Sequence, residues 1–386
     1  MIVRRYSGIS GDVRISRVKT SLAEFDGVKV TMDMRKTVLS RRALLTQAAP
    51  VLAGSLVAIS PTRLVLAQEK PPLSVSSDPA NEKIWNGEYW AKKGDLSLYI
   101  FRKRLGAPKP GETAKPIVFL AHGSSVSSRP SFDLTVPGHG DYSLMDQFAE
   151  YGFDVWTMDF EGYGRSAIGH GNSDIASGVE DLKIASEVIA RETRQTRFHL
   201  YGESSGALRA GAFAMAEPEC VNRLVLVSFT WTGQGSPTLS KRAESVEYYR
   251  THNRRPRNRD MIRSIFTRDK PGTSDPAVAE AMADAELKLG DSVPTGTYLD
   301  MTTKLPIVDP TKILSPVLIA RGEYDGIATE EDLLNFFRKL PVPDREFVVL
   351  AGVSHSVALG LNRHQFWHVV RAFVEMPERR DVQNPK

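Results

Sequence analysis

Short apolar runs alternate with amphipathic stretches along most of the chain. Ile117-Val118-Phe119-Leu120, Phe153 to Phe160, Arg197 to Tyr201, Val221 to Phe229, Pro316 to Ala320 and Glu346 to Leu350 read as strands. Near-continuous apolarity is what a strand buried on both faces requires. Between them, residues 173–193 carry Ile175, Val179, Leu182, Ala185, Val188 and Ile189 at helical spacing. Helices are also expected over Ser143 to Tyr151, Ser205 to Ala216 and Thr329 to Leu340. A last one follows from Phe366, Val369, Val370, Phe373 and Val374, spaced i, i+3, i+4, i+7, i+8. Glu88 to Trp90 and Leu96 to Phe101 form a hairpin through Lys93-Gly94-Asp95. Strand and helix in this rhythm predict an α/β fold, a mostly parallel sheet flanked by helices.

The rhythm breaks once. Thr230 to Lys312 is polar and helix-prone, which predicts a helical cap inserted into the sheet domain. The core is then split into residues 68–229 and 313–386, with 68–85 as a Pro/Ser-rich linker. No internal repeat is present.

Charge changes the picture only near the N-terminus. The 386 residues carry a formal net charge of +4, but residues 1–67 hold 11 of the 50 Lys/Arg and 4 of the 46 Asp/Glu. The remainder, 39 against 42, is net −3, so there is no global electrostatic case for a nucleic-acid partner. Arg41-Arg42 precedes the apolar run from Ala43 to Ile59, and Val65-Leu66-Ala67 offers a small-residue cleavage site. A positive segment, an apolar segment and a cleavage site make an export leader, here of twin-arginine type. The expectation is cleavage after Ala67 and a periplasmic or secreted product with no stable membrane anchor. The run is short of the ~20 apolar residues a span needs. Residues 1–33 fit neither leader nor fold, and Met34 is read as the true start. The one cysteine, Cys220, excludes an internal disulfide and is expected to be a small buried hydrophobe.

Candidate chemistry centres on Gly202-Glu203-Ser204-Ser205-Gly206, set between a strand and a helix. Such a sharp corner strains its central residue and lifts the side chain clear of the sheet, so Ser204 is the candidate nucleophile. A serine hydroxyl needs a base, and a histidine base needs a carboxylate to hold its tautomer. Asp325 and His355 each follow a buried strand, and strand carboxyl ends converge on one edge of a parallel sheet. Glu323, two residues from Asp325, is the alternative acid. His139 and His170 lie in loops and read as solvated. His364-Gln365-Phe366-Trp367-His368 imitates a zinc-protease spacing but lacks the general-base glutamate, and no metal site is expected. Gly162-Tyr163-Gly164-Arg165-Ser166-Ala167 matches a dinucleotide fingerprint weakly, without a helix opening directly behind it. Arg254, Arg255, Arg257, Arg259 and Arg263 read as a solvated face, attraction of an anionic substrate being the sharper alternative.

With His122-Gly123, Asp159…Gly162-x-Gly164-Arg165-Ser166, the Ser204 elbow, Asp325 and His355, the chain resembles the α/β-hydrolase superfamily over about residues 85–377. The resemblance implies Ser204 as nucleophile, Asp325 as acid and His355 as base, with backbone N–H groups of Ser124 and Ser205 as the oxyanion hole. His122-Gly123-Ser124-Ser125 departs from the His-Gly-Gly-Gly of many lipases. The expected substrate pocket includes His122, Gly123, Phe229 and Trp231. The implied activity is cofactor-free hydrolysis of a small-molecule carboxylic ester through an acyl-enzyme. The pattern is similar to bacterial carboxylesterases that de-esterify bulky molecules, including xenobiotics such as sulfonylurea methyl esters. A lactonase, an amidase or an aminopeptidase on the same triad are alternatives, as is a non-catalytic ligand-binding protein of this fold. Oligomeric state is left open by the sequence, a homodimer being one option.

Overall fold

The computed structural model describes residues 83–379. The leader, its cleavage site and most of the expected linker lie outside those residues. Eight strands form one sheet: β1 (Ile84–Lys93), β2 (Leu96–Leu105), β3 (Ile117–Ala121), β4 (Asp154–Met158), β5 (Phe198–Glu203), β6 (Val221–Val227), β7 (Val317–Gly322) and β8 (Arg345–Leu350). Their order is β1-β2-β4-β3-β5-β6-β7-β8. The β1–β2 hairpin and the β2–β4 pair are antiparallel, and every other pair is parallel.

Burial follows the apolar runs. All residues of β3, β4 and β7 are buried, while β8, at the sheet edge, is only half-buried over most of its length. Alternate residues of each strand feed opposite layers. Phe119 packs into the layer under α3 (Ile175–Thr193), α4 (Ser205–Ala216) and α10 (Glu330–Lys339). Val118 and Leu120 point into the layer that holds Phe132 of α1 (Ser128–Phe132), α2 (Leu144–Glu150) and α11 (Arg363–Val374). Helix starts are fixed by side-chain caps: Asp174 accepts from the Ser177 N–H and Thr329 from the Asp332 N–H. Cys220 is half-buried against the core rather than fully enclosed, because it ends a 3-10 turn before β6.

The segment between β6 and β7 folds as five helices: α5 (Pro237–Ala243), α6 (Val246–Thr251), α7 (Arg259–Thr267), α8 (Pro276–Leu287) and α9 (Gly296–Thr303). It also contains a two-stranded antiparallel ribbon, Arg254–Pro256 with Ser292–Pro294, which periodicity did not foretell. Helices α7 and α8 bury Ile262, Phe266, Val278 and Met282 with Leu134, Val136 and Leu359 of the core domain, so the cap has its own apolar seam.

Register decides where chemistry can assemble. Ala121 pairs with Gly202, Glu203 with Val227, and Gly322 with Leu350. The carboxyl ends of β3, β5, β6, β7 and β8 therefore share one edge, and the loops after them meet there.

Candidate active site

Ser204 sits where β5 turns into α4, with φ 58° and ψ −122°. A non-glycine residue at positive φ is strained and persists only where its surroundings over-determine it. Here the determinants are close backbone approaches. A Cβ on Gly202 would lie 2.3 Å from the Gly206 carbonyl oxygen, and one on Gly206 would lie 2.2 Å from that of Ala121. The Ser204 N–H donates to the Val227 carbonyl at 2.9 Å, pinning the corner to β6.

His355 and Asp325 arrive from the loops after β8 and β7. His355 Nε2 is 3.2 Å from Ser204 Oγ, and its Nδ1 is 2.8 Å from Asp325 Oδ1. An ionised carboxylate only accepts, so Nδ1 carries the proton and Nε2 is free to accept from the serine. All three side chains are buried, Ser204 at 8% exposure, His355 at 5% and Asp325 at 3%. The Ser228 hydroxyl donates to the His355 carbonyl at 2.8 Å, and the Ile327 N–H donates to Asp325 Oδ1 at 3.0 Å. Burial pushes the Asp325 carboxyl up, but the charge and hydrogen bond of His355, with the Ile327 N–H, outweigh it and hold the group below its ordinary value. Glu323 does not reach this array; its carboxylate accepts the Gly352 N–H at 2.8 Å.

Two backbone donors flank Ser204. Ser205 opens α4, so its N–H has no intrahelical acceptor. The Gly123-Ser124 loop abuts the serine, since a Cβ on Gly123 would fall 3.2 Å from Ser204 Cβ. That loop is clamped from below and from the cap. Ser128 donates through its N–H and hydroxyl to Asp159 Oδ1 at 2.8 and 2.6 Å. Ser127 does the same to Glu286 Oε1 at 2.6 and 2.8 Å, and Glu286 is itself ion-paired with buried Arg257. The Gly162-x-Gly164-Arg165 segment serves this clamp: the Arg165 N–H donates to Asp159 Oδ2 at 2.8 Å, and a Cβ on Gly164 would lie 2.2 Å from that oxygen.

A pocket of about 50 Å³ opens on Ser204 and His355, with Gly123, Phe132, Phe266, Met282 and Leu359 among its walls. A larger cavity of about 530 Å³ adjoins it, the two sharing Ser125, Arg242, Ile265 and Arg268. Three expected pocket residues are elsewhere. His122 is fully buried beneath the loop, its Nε2 accepting from the Phe160 N–H at 3.2 Å, and burial lowers its pKa to about 3. Phe229 and Trp231 pack on Phe336 of α10, because the chain leaves β6 away from Ser204; the Trp231 indole donates to the Val308 carbonyl at 3.0 Å. His139 is exposed beside Asp275 at 2.8 Å, and His364 packs edge-on against Trp367 of its own helix.

Sequence reasoning missed Glu286, Arg242, Arg268 and Tyr298, all supplied by the cap. It also missed Glu203 as a titrating group: burial pushes its carboxyl up to about 7, with the Asp325 charge adding to the rise, against the lowering hydrogen bond from the Tyr201 hydroxyl at 3.1 Å.

Among solved structures, the fold is similar to a thermophilic esterase from Thermogutta terrifontis, with 18% identity, a TM-score of 0.55, and coverage of 75% of this chain and 98% of that one. It is also similar to E-2-(acetamidomethylene)succinate hydrolase, with 17% identity, TM-score 0.56, and coverage of 75% and 100%. The enol-lactonase from Burkholderia xenovorans LB400 aligns at 17% identity, TM-score 0.53, covering 74% and 99%. No curated protein matches the sequence. The sequence profile described as serine aminopeptidase, S33, matches residues 136–360, a span that contains Ser204, Asp325 and His355. On that match and the sheet order, the chain belongs to the serine aminopeptidase S33 family of α/β-hydrolases.

Proposed function

We propose that this hydrolase cleaves a carboxylic ester through an acyl-enzyme on Ser204. The observation that carries the reading is the continuous array Ser204 Oγ–His355 Nε2–His355 Nδ1–Asp325 Oδ1, at 3.2 and 2.8 Å, assembled on a strained corner. In this reading His355 takes the serine proton as Oγ attacks the ester carbonyl, and Asp325 stabilises the imidazolium. The Ser124 and Ser205 N–H groups receive the developing oxyanion, an effect worth roughly 3–4 kcal/mol per donor in comparable sites. Collapse of the tetrahedral intermediate expels the alcohol, which leaves with the proton from His355. Water activated by the same histidine then releases the acid and restores the serine.

An aminopeptidase must hold a substrate ammonium group. The cleft beside Ser204 presents Lys241, Arg242, Arg255 and Arg268 against the carboxyls of Asp269 and Glu203, which favours an ester over a peptide amine. The test is steady-state hydrolysis of 4-nitrophenyl butyrate by the chain and by Ser204→Ala. Turnover that the substitution removes, with unchanged thermal unfolding, supports the reading. Equal turnover in the variant overturns it.

A further inference from the structure

The cap carries many arginines, and the structure divides them into two sets. Arg257 is buried against Glu286, Arg259 pairs with Glu280 and Asp284 at 2.9 and 2.6 Å, and Arg263 pairs with Glu280 and Asp260. Arg254 donates to the Gly162 and Ser292 carbonyls at 2.9 and 2.8 Å. These are ordinary structural cations. The second set faces the 530 Å³ cavity beside Ser204: Lys241, Arg242, Arg255 and Arg268.

In this second set, carboxylate partners are scarce. Among the described residues Asp269 is the one acidic residue lining that cavity, and its Oδ1 lies 3.7 Å from Arg268 Nε. Arg242 is half-buried, and its hydrogen-bond partner among the described residues is the Met301 sulfur, at 3.6 Å. Arg242 and Arg255 both stack on the Tyr298 ring, with guanidinium carbons 5.0 and 4.8 Å from its centroid. Two guanidiniums on one ring repel each other, and withdrawing Arg242 from water without a counter-ion adds a further cost. Burial, followed by the charge of Arg268, lowers the Arg242 pKa to about 10, which leaves the group charged at neutral pH. Arg257, Arg259 and Arg263 each meet a carboxylate and Arg254 meets backbone carbonyls, whereas Arg242 and Arg255 meet a ring and open space. Low-dielectric walls around like charges concentrate the field in that space. Arg242 and Arg268 also line the small pocket at Ser204, so an anion held there sits within the same cleft as the serine.

We infer that the cleft takes an ester carrying a second, ionised acidic group, a carboxylate or comparable oxyanion, which Arg242 and Arg255 receive over Tyr298 while the ester lies at Ser204. The inference rests on the proposed esterase reading for the scissile bond, but the anion site is defined by the cap alone. It assigns the cap a role in selecting substrate charge.

The experiment compares 4-nitrophenyl hydrogen glutarate with its methyl-capped, uncharged counterpart. The full chain should hydrolyse the free acid with at least tenfold higher kcat/KM. The preference should reside mainly in KM and shrink as salt is raised to about 0.5 M, where screening shortens to a few ångströms. Arg242→Gln combined with Arg255→Gln should bring the ratio of the two substrates toward one, and Arg242→Lys should retain part of it. Arg263→Gln, on the outer paired face, should leave the ratio unchanged. A wild-type ratio near one, or a ratio that survives both substitutions, overturns the inference. A second readout needs no turnover: glutarate binding to Ser204→Ala by calorimetry, expected to be lost when Arg242 and Arg255 are also replaced by Gln. Absence of glutarate binding to Ser204→Ala overturns the anion site. Arginine-dependent binding with no hydrolysis of either ester leaves the anion site standing and removes the esterase reading.

Discussion

Replacing Asp325 by asparagine is the sharpest perturbation of the array, because it keeps shape and removes one charge. Asp325 Oδ1 accepts from both the Ile327 N–H and His355 Nδ1. An asparagine carbonyl at the Oδ1 position still accepts from both groups, but the ionised acceptor that strengthens the hydrogen bond to His355 is lost. The carboxylate's attraction for an imidazolium is lost as well. At about 4 Å and an effective dielectric of about 20, that is roughly 4 kcal/mol, or about a thousandfold in rate. On that loss kcat on 4-nitrophenyl butyrate should fall by roughly 10³ or more, against about 10⁴ for a triad aspartate changed to asparagine elsewhere. The assay is kcat against pH, with thermal unfolding run in parallel to certify the fold. A loss below about tenfold in a folded variant would show that Asp325 does not stabilise the imidazolium. Glu323→Gln is the matched control, since that carboxylate is engaged with the Gly352 N–H; a large loss there would move the acid to Glu323.

Three further outcomes are expected. Gly206→Ala drives a Cβ to 2.2 Å from the Ala121 carbonyl oxygen, a backbone clash that nothing flexible can relieve; it should cost about 3 kcal/mol and lower Tm by about 6 °C in a thermal melt, and an unchanged Tm contradicts the packing argument. Glu203 titrates near 7 in the folded chain against 4.5 as the ordinary value. The folded state therefore holds this proton more tightly, and the resulting stability is present below pH 4.5 and lost as pH rises through 7. The urea-derived stability of wild type minus Glu203→Gln should fall by about 3 kcal/mol across that window, whereas a flat difference would show that the carboxyl is ordinary. Finally, replacing Arg41 and Arg42 by Lys should retain the chain in the cytoplasm, while the exported product of the natural sequence should begin at Gln68 by N-terminal sequencing. Export of the altered chain would remove the twin-arginine reading.

What could be read from the sequence is what local patterning controls. The Ser204 corner is legible because a buried strand, two close-packing glycines and an Ala-rich helix are consecutive. Asp325 and His355 are legible because each follows an apolar strand, and the parallel sheet brings strand ends together. Phe229 and Trp231 mislead for the same reason in reverse: they follow β6 closely, but Ser228 adopts φ 48° and the chain turns away beneath α10. The cap arginines show a deeper limit. Arg257 lies 29 residues from Glu286 on another element, so no local spacing separates its buried ion pair from Arg242 and Arg255, which have no carboxylate partner among the described residues. Which cation meets a carboxylate and which meets a cavity is decided by tertiary packing alone.

Intact-mass measurement after exposure to a fluorophosphonate tests whether the serine at position 204 is activated. One covalent adduct is expected on the folded chain, absent from Ser204→Ala and strongly slowed in Asp325→Asn. No adduct on the folded chain, or an adduct that persists in Ser204→Ala, would contradict it.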